Sequence, residues 1–385
     1  MVLYSHRLNK AHPKIKLKKM TYISFRSYNL LLVLFVILVS GGKPGGKYRD
    51  PVDTVGFAIR SWQMDSVMSR IFSLQGQKIV DAWNQHDIKR FTPWKTAICP
   101  HDDYTYAGWL YPAALRNIKA NTVILIGVAH KAKKFGLANR IVFEDFNGWK
   151  GPYGIAKTSE WRHKITNYLP KSTYVVHDAA HASEHSVEAL LPVLQYYNRK
   201  VQIIPLLIPY MSYETMEELA SSFALSLSKV IQEQDLKWNS DLAIVISNDA
   251  VHYGDESWGG SNYAPYGSDS AGYKRALEHE QEIIQTCLTG PLSKEKIRRF
   301  TQFTIQDTNY CTYKWTWCGR YSVPFGLLTT YYLERALHTD PVYGILLGYG
   351  TSISQPPVPV DDLKMGQTAP ATLRHWVGYV AVGFK

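Results

Sequence analysis

Apolar residues in this chain gather into short unbroken runs, separated by longer stretches with helical period. Thr96–Cys99 is one such run, stopped by Pro100. A strand buried on both faces reads as continuous apolar residues, and proline removes the next ladder donor. Residues 121–130 repeat the design, ending in a glycine and then a histidine. Leu242–Ser247 is a third run and passes straight into Asn248-Asp249-Ala250-Val251-His252. Residues 201–208 read as a fourth, demoted by Pro205 to an edge or a bulge, and 342–348 and 376–384 as closing strands. The spacing predicts helices over 61–74, 108–118, Trp161–Tyr168, 212–232, 267–288, 293–300 and 324–337. Ser183 is expected to open another through residue 194, capping its free amides. Residues 131–158 are polar and glycine-rich, a loop or short edge strands. Strands alternating with helices argue an α/β fold: a three-layer α/β/α sandwich around a mostly parallel or mixed central sheet.

Composition narrows this picture. A 385-residue chain that is 45% hydrophobic and 19% charged can bury a sizeable core. Its net charge of +11 is concentrated in residues 1–28, which hold seven Lys and Arg and no acid, leaving only +4 for the rest. The basic balance is therefore poor evidence for nucleic acid, and no recognition-helix signature supports that partner. Ten apolar residues, 30–39, follow the basic arm and precede Ser40-Gly41-Gly42. Spanning a bilayer takes about 18 or more, so this pattern reads as a secretory signal peptide, or alternatively an uncleaved anchor, with Met20 as an alternative start. Either places the domain outside the cytoplasm, with membrane contact only through that segment. The organisation expected is an arm and leader over 1–42, a glycine-rich linker over 43–60 and one domain over 61–385.

The four cysteines include no C-x-x-C pair, which argues against a zinc knuckle. G-x-G-x-x-G, P-loop and G-x-S-x-G motifs are absent as well. What remains is a set of ionisable residues at strand ends: His101, His130, Asp249 and His252. Cys318 lies just before a predicted helix, next to Arg320, two features that favour thiolate. His185 and Glu188 come from the start of the helix expected after Ser183. Taken singly, a strand-end histidine more often caps a loop, a cysteine is more often inert, and Glu184 and Glu188 fit a solvated helix face. Together, imidazole, carboxylate and thiolate form a metal-binding palette: two histidines with an anionic ligand suit non-haem iron, and zinc or copper accept the same donors. An adjacent histidine–aspartate pair can move protons.

These residues also carry a resemblance. Pro100-His101 with Tyr104-Thr105-Tyr106-Ala107-Gly108, Gly127-Val128-Ala129-His130, and Glu184-His185-Ser186-Val187-Glu188 through Leu191-Pro192 appear in order. Ile203-Ile204-Pro205, Ser247-Asn248-Asp249 with His252-Tyr253-Gly254, and Cys318-Gly319-Arg320 follow. The chain from about residue 95 onward resembles the Memo family (AmmeMemoRadiSam system protein B), whose relatives by fold are class III extradiol dioxygenases. The resemblance implies a three-layer α/β/α fold and a metal site on His101, His130 and Cys318. It places Asp249 and His252 in the same pocket, lined by His185 and Glu188. Iron is the first candidate ion, with copper or zinc as alternatives, and no substrate is implied. Two departures stand out: Asp102-Asp103 replaces the family's Ala-Gly, and Lys131 replaces the second histidine of a pair. The expected function is a metal-dependent, dioxygenase-like oxidoreductase. The alternatives are metal-dependent hydrolysis, or a non-catalytic module using the cleft for an anionic or phosphorylated peptide, with Lys131, Arg320 and tyrosines as its contacts.

Overall fold

A computed structural model describes residues 46–89, 92–258 and 261–385. The expected arm and leader, 1–42, lie outside the described residues. Lys47–Lys385 is one compact unit. Its early strands are β1 (Tyr48–Arg49), β2 (Thr96–Cys99), β3 (Thr122–Val128), β4 (Ile141–Phe143), β5 (Gly148–Gly151), β6 (Gly154–Lys157), β7 (Tyr174–Val176) and β8 (Gln202–Ile208). The later ones are β9 (Leu242–Ser247), β10 (Asp249–Trp258), β11 (Ser261–Tyr263), β12 (Gly290–Pro291), β13 (Ile305–Gln306), β14 (Asn309–Tyr313), β15 (Tyr343–Thr351) and β16 (His375–Phe384).

One large mixed sheet runs β11-β10-β16-β2-β9-β3-β8-β4-β7, with β15 pairing β16 and β12. Its middle is parallel, β2 with β9, β9 with β3 and β3 with β8, whereas β16 is antiparallel to β2, β10 and β15. Successive side chains of a strand point to opposite faces, and two cores result. Ala97, Cys99, Val123, Leu125, Val245 and Leu207 join a cluster with residues of helices Ser61–Gln85, Leu110–Leu115 and Leu191–Tyr197. Ile98, Ile124, Ile126, Ile204, Ile244 and Ile246 join the other, with helices Tyr213–Glu233, Ser322–Ala336 and Lys294–Thr304. This is an α/β fold with helices on both faces of a central mixed sheet.

Three local expectations are corrected. Pro205 lies inside the sheet, opposite Leu125 of β3. The other side of β8 is used at Ile203, whose carbonyl accepts from Ser159 N (3.0 Å), and at Leu207, opposite Val142. The missing proline donor falls in the gap between them. Ser183 opens no helix: it terminates the short helix Asp178–Ala182, and a loop precedes the 3-10 turn Glu188–Leu190. The helix expected over 61–74 continues to Gln85, because Gln75, Ile79 and Trp83 extend the buried stripe. Ser293 caps Lys294–Thr304 as expected, accepting from Lys296 N. Of the segment read as a linker, Tyr48–Arg49 pairs with β5, and Arg49 is buried against Glu188.

Candidate functional site

The parallel strands β2, β3 and β9 end together, and each delivers an ionisable residue to one cavity of about 330 Å³. His101, just past β2, is 1% exposed. Its backbone N–H donates to Asp249 Oδ1 (2.9 Å), and its Nδ1 lies 2.8 Å from Ser247 Oγ at the end of β9. Ser247 spends its single hydroxyl proton on the Ser186 carbonyl (2.5 Å). The serine oxygen must therefore accept from Nδ1–H, which leaves a lone pair on His101 Nε2. That lone pair faces Cys318 Sγ at 3.4 Å and Asp249 Oδ2 at 3.4 Å.

His130 is fixed by analogous logic. Glu184 accepts from His130 N (2.9 Å) and faces His130 Nδ1 (2.8 Å), while also accepting from His185 N and Ser186 N, each at 3.0 Å. Burial alone would raise the Glu184 carboxyl, but the His130 charge and hydrogen bond outweigh it and hold the group at about 2. An ionised carboxylate only accepts, so Nδ1 carries the proton, and in the neutral ring that a metal requires this leaves the lone pair on His130 Nε2. The loop that supplies Glu184 packs closely on β3, where a Cβ on Gly127 would lie 2.3 Å from Val187 Cγ2 and 2.8 Å from Ser186 Oγ. Glycine is the residue that allows this approach, and Ser186 Oγ then donates to the Val128 carbonyl (2.9 Å).

Cys318 follows Trp317, which bridges to Val251 of β10. Its sulfur accepts from Asp249 N (3.3 Å). The next residue is glycine because a Cβ there would lie 2.1 Å from Asn248 Oδ1, the acceptor for Gly319 N. The sequence suggested a lowered thiol pKa; the reverse holds. Burial, reinforced by Asp249, pushes the thiol well above its usual range and outweighs Arg320. The Arg320 guanidinium stacks on Tyr313 and Tyr321.

His185 stacks on His130, with ring centroids 4.8 Å apart and planes 7° from parallel. Desolvation, followed by the His130 charge, lowers His185 to about 4. His252 lines the same cavity and is lowered to about 3 by burial, then by His130. Asp249 is raised well above the usual carboxylate range by burial, then by Asp102.

Among the described residues, two groups of three have donor atoms mutually within 4.8 Å: His101, His130 and His185, and His101, Asp249 and Cys318. His101 is common to both, while His130 and Cys318 fall in different groups, so the expected trio meets through His101. Glu188 stands apart from the cavity lining. Its buried carboxylate pairs with Arg49 (2.6 Å) and accepts from Val52 N (2.9 Å) and Asp53 N (3.0 Å), tying the β1 segment down.

Other residues at the site lay outside the expected set, Asp102 and Asp103 having stood out only as a departure from the family pattern. Asp102 accepts from Tyr379 Oη (2.6 Å), and Asp103 from Thr368 N (2.6 Å), both across more than 260 positions. Desolvation raises Asp102; burial, then Asp102, raises Asp103 to about 7. Glu280 accepts from the indoles of Trp315 and Trp317, each at 2.6 Å, and from Val251 N (3.3 Å), thereby holding the Cys318 turn against β10. The charged pair Asp102-Asp103 was the only signal of the first group; nothing in the local pattern marked Glu280.

The model of the family described as Memo-like protein matches residues 74–328. A MEMO1 family protein of Aquifex aeolicus is 33% identical over 163 residues, covering 41% of this chain and 54% of the relative. One from Sulfurisphaera tokodaii is 30% identical over 163 residues, 40% of this chain and 52% of the relative. The chain thus aligns with about half the length of these curated relatives. With the family match spanning the ends of β2, β3 and β9 and the Cys318 turn, the chain belongs to the Memo-like family.

Proposed function

We propose that the cavity is a mononuclear metal centre supporting redox, dioxygenase-like chemistry on a small molecule. The observation that carries this reading is the fixed tautomer of two histidines. Ser247 and Glu184 hold the Nδ1 protons, so both Nε2 lone pairs are available to an ion, the outer-shell arrangement common to metal-ligating histidines. His101 and His130 would supply the imidazoles and Cys318 the third donor. Ligands at metal–nitrogen and metal–sulfur distances of about 2.0 and 2.3 Å sit roughly 3.5 Å apart around a tetrahedral ion, which fits the 3.4 Å between His101 Nε2 and Cys318 Sγ. Iron is the first candidate, with copper or zinc accepting the same donors. Such an ion supplies Lewis acidity and, as iron or copper, electron transfer at an open position.

The protein's own groups would manage protons. Burial holds the Asp249 carboxyl well above the usual carboxylate range, which favours its acid form as a donor, while neutral His252 can accept. Glu184 keeps His130 in one tautomer throughout. A non-catalytic role with an anionic or phosphorylated peptide has less support. The cavity is lined by Asp53, Asp102, Asp103 and Asp249, whereas Lys131 donates to the Ser183 carbonyl and Arg320 stacks on tyrosines.

Elemental analysis of protein purified without added metal tests the reading. Iron or copper near one equivalent is expected, lost in His101→Ala, His130→Ala and Cys318→Ala and kept in His185→Ala. Full metal in Cys318→Ala with loss in His185→Ala would replace the thiolate by the third imidazole; full metal in all four would end the proposal.

A further inference from the structure

A second cavity, of about 490 Å³, shares no lining residue with the histidine cavity. Its walls are rings: Tyr263, Tyr266, His279, Phe303 and Trp315. His279 stands edge-on to Trp315, with centroids 4.5 Å apart, and to Phe303 at 5.5 Å. Tyr263 stands edge-on to Trp315 at 5.6 Å. Trp315 is 3% exposed, and its Nε1–H donates to the buried Glu280 carboxylate, so the floor of the cavity is set before any ligand arrives. Several rings converging on one opening that they leave unfilled mark a binding surface at the edge of the core.

Charge decides which ligand. The charged residues of the lining are Arg299 and Lys314, and no carboxylate is among them. Lys314 is held only loosely, 3.9 Å from Asp307, and Arg299 makes no ion pair among the described residues. An aromatic cage without cations would take an ammonium group; here two cations at the opening oppose one. A guanidinium fork instead matches the two oxygens of a carboxylate.

We propose that this cavity binds a small aryl carboxylate, its ring among Tyr266, Phe303 and Trp315 and its carboxylate on Arg299 and Lys314. The site does not depend on the metal centre. Naphthoate, naphthylmethylammonium and naphthalenemethanol serve as probes in calorimetric titrations of the full chain. Naphthoate is expected to bind saturably, with affinity falling roughly tenfold or more in Arg299→Gln, as for loss of one charge-assisted contact, and in Lys314→Gln, both exposed positions. The ammonium probe is expected to bind most weakly, and His101→Ala to leave naphthoate binding unchanged. Equal or tighter binding of the ammonium probe, unchanged naphthoate affinity in both charge variants, loss of naphthoate binding in His101→Ala, or no saturable binding at millimolar concentration would each overturn the proposal.

Discussion

Replacing Glu184 by glutamine tests how the site is held. Four N–H groups converge on this carboxylate: the backbone and Nδ1 of His130 and the backbones of His185 and Ser186, at 2.8–3.0 Å. A carboxylate offers about four acceptor positions, whereas an amide offers one oxygen and two donors. Oε1 takes His130 Nδ1, His185 N and Ser186 N, and Oε2 takes His130 N, so with the amide oxygen in the Oε1 place at least one donor, His130 N, loses its acceptor in Glu184→Gln. At about 1–3 kcal/mol for a buried group left unpaired, the variant is expected to be less stable by at least that amount at pH 7. The depressed carboxyl supports the scale: moving from 4.5 to about 2 corresponds to about 3 kcal/mol favouring the ionised fold. Because the folded value is lowered, this contribution is present above pH 4.5 and is lost as pH falls toward 2. Urea titrations of both proteins at pH 7 and pH 3 are therefore expected to show a smaller difference at the lower pH. Metal affinity, measured by competition with a chelator, is expected to fall about 10–100-fold, as for other partners that orient a ligating histidine. A variant with lowered stability but unchanged metal affinity would refute the orienting role. Equal stability at both pH values would refute the hydrogen-bond accounting itself.

Burial raises Glu280 to about 7 despite its indole partners. A raised carboxyl favours folding below its ordinary 4.5, and that contribution is lost as pH rises through about 7. Denaturation midpoints between pH 4.5 and 8 are expected to decline less steeply in Glu280→Gln than in the native chain, from a lower starting value. Gly319→Ala places a methyl 2.1 Å from Asn248 Oδ1; overpacking of this kind costs about 1–3 kcal/mol. Its Tm is expected to fall together with metal content, because Cys318 is the adjacent residue. Gly127→Ala should lower Tm similarly, read by thermal denaturation, and weaken metal binding through displacement of the Glu184 loop.

The strands were legible because burial on both faces leaves an apolar signature that no partner needs to be known to read. Their carboxyl ends followed, and with them His101, His130, Asp249 and His252 in one cavity. Position 183 misled because a serine hydroxyl that can accept from free amides at a helix start can equally donate at a helix end: its Oγ donates back to the Ala180 carbonyl. Glu188 misled because a buried acid beside a site and a buried acid beneath it look alike until Arg49 is placed. The pairs Asp102–Tyr379 and Glu280–Trp317 were invisible for a different reason. Periodicity reports which face a residue occupies, whereas the partner of a buried carboxylate is settled by the sheet order.

β16 has all ten residues buried and lies beside β2, β10 and β15 at once. On a translating ribosome it is made after all of them. Until residues 375–384 emerge, β2 has one bare side, and β10 and β15 lack the neighbour that joins them to the sheet. Nascent chains of this protein therefore carry unfinished strand edges until β16 emerges, the state in which intermolecular pairing competes with folding. Completion of the sheet therefore waits on this strand, and its yield falls to whatever shields those edges in the interval.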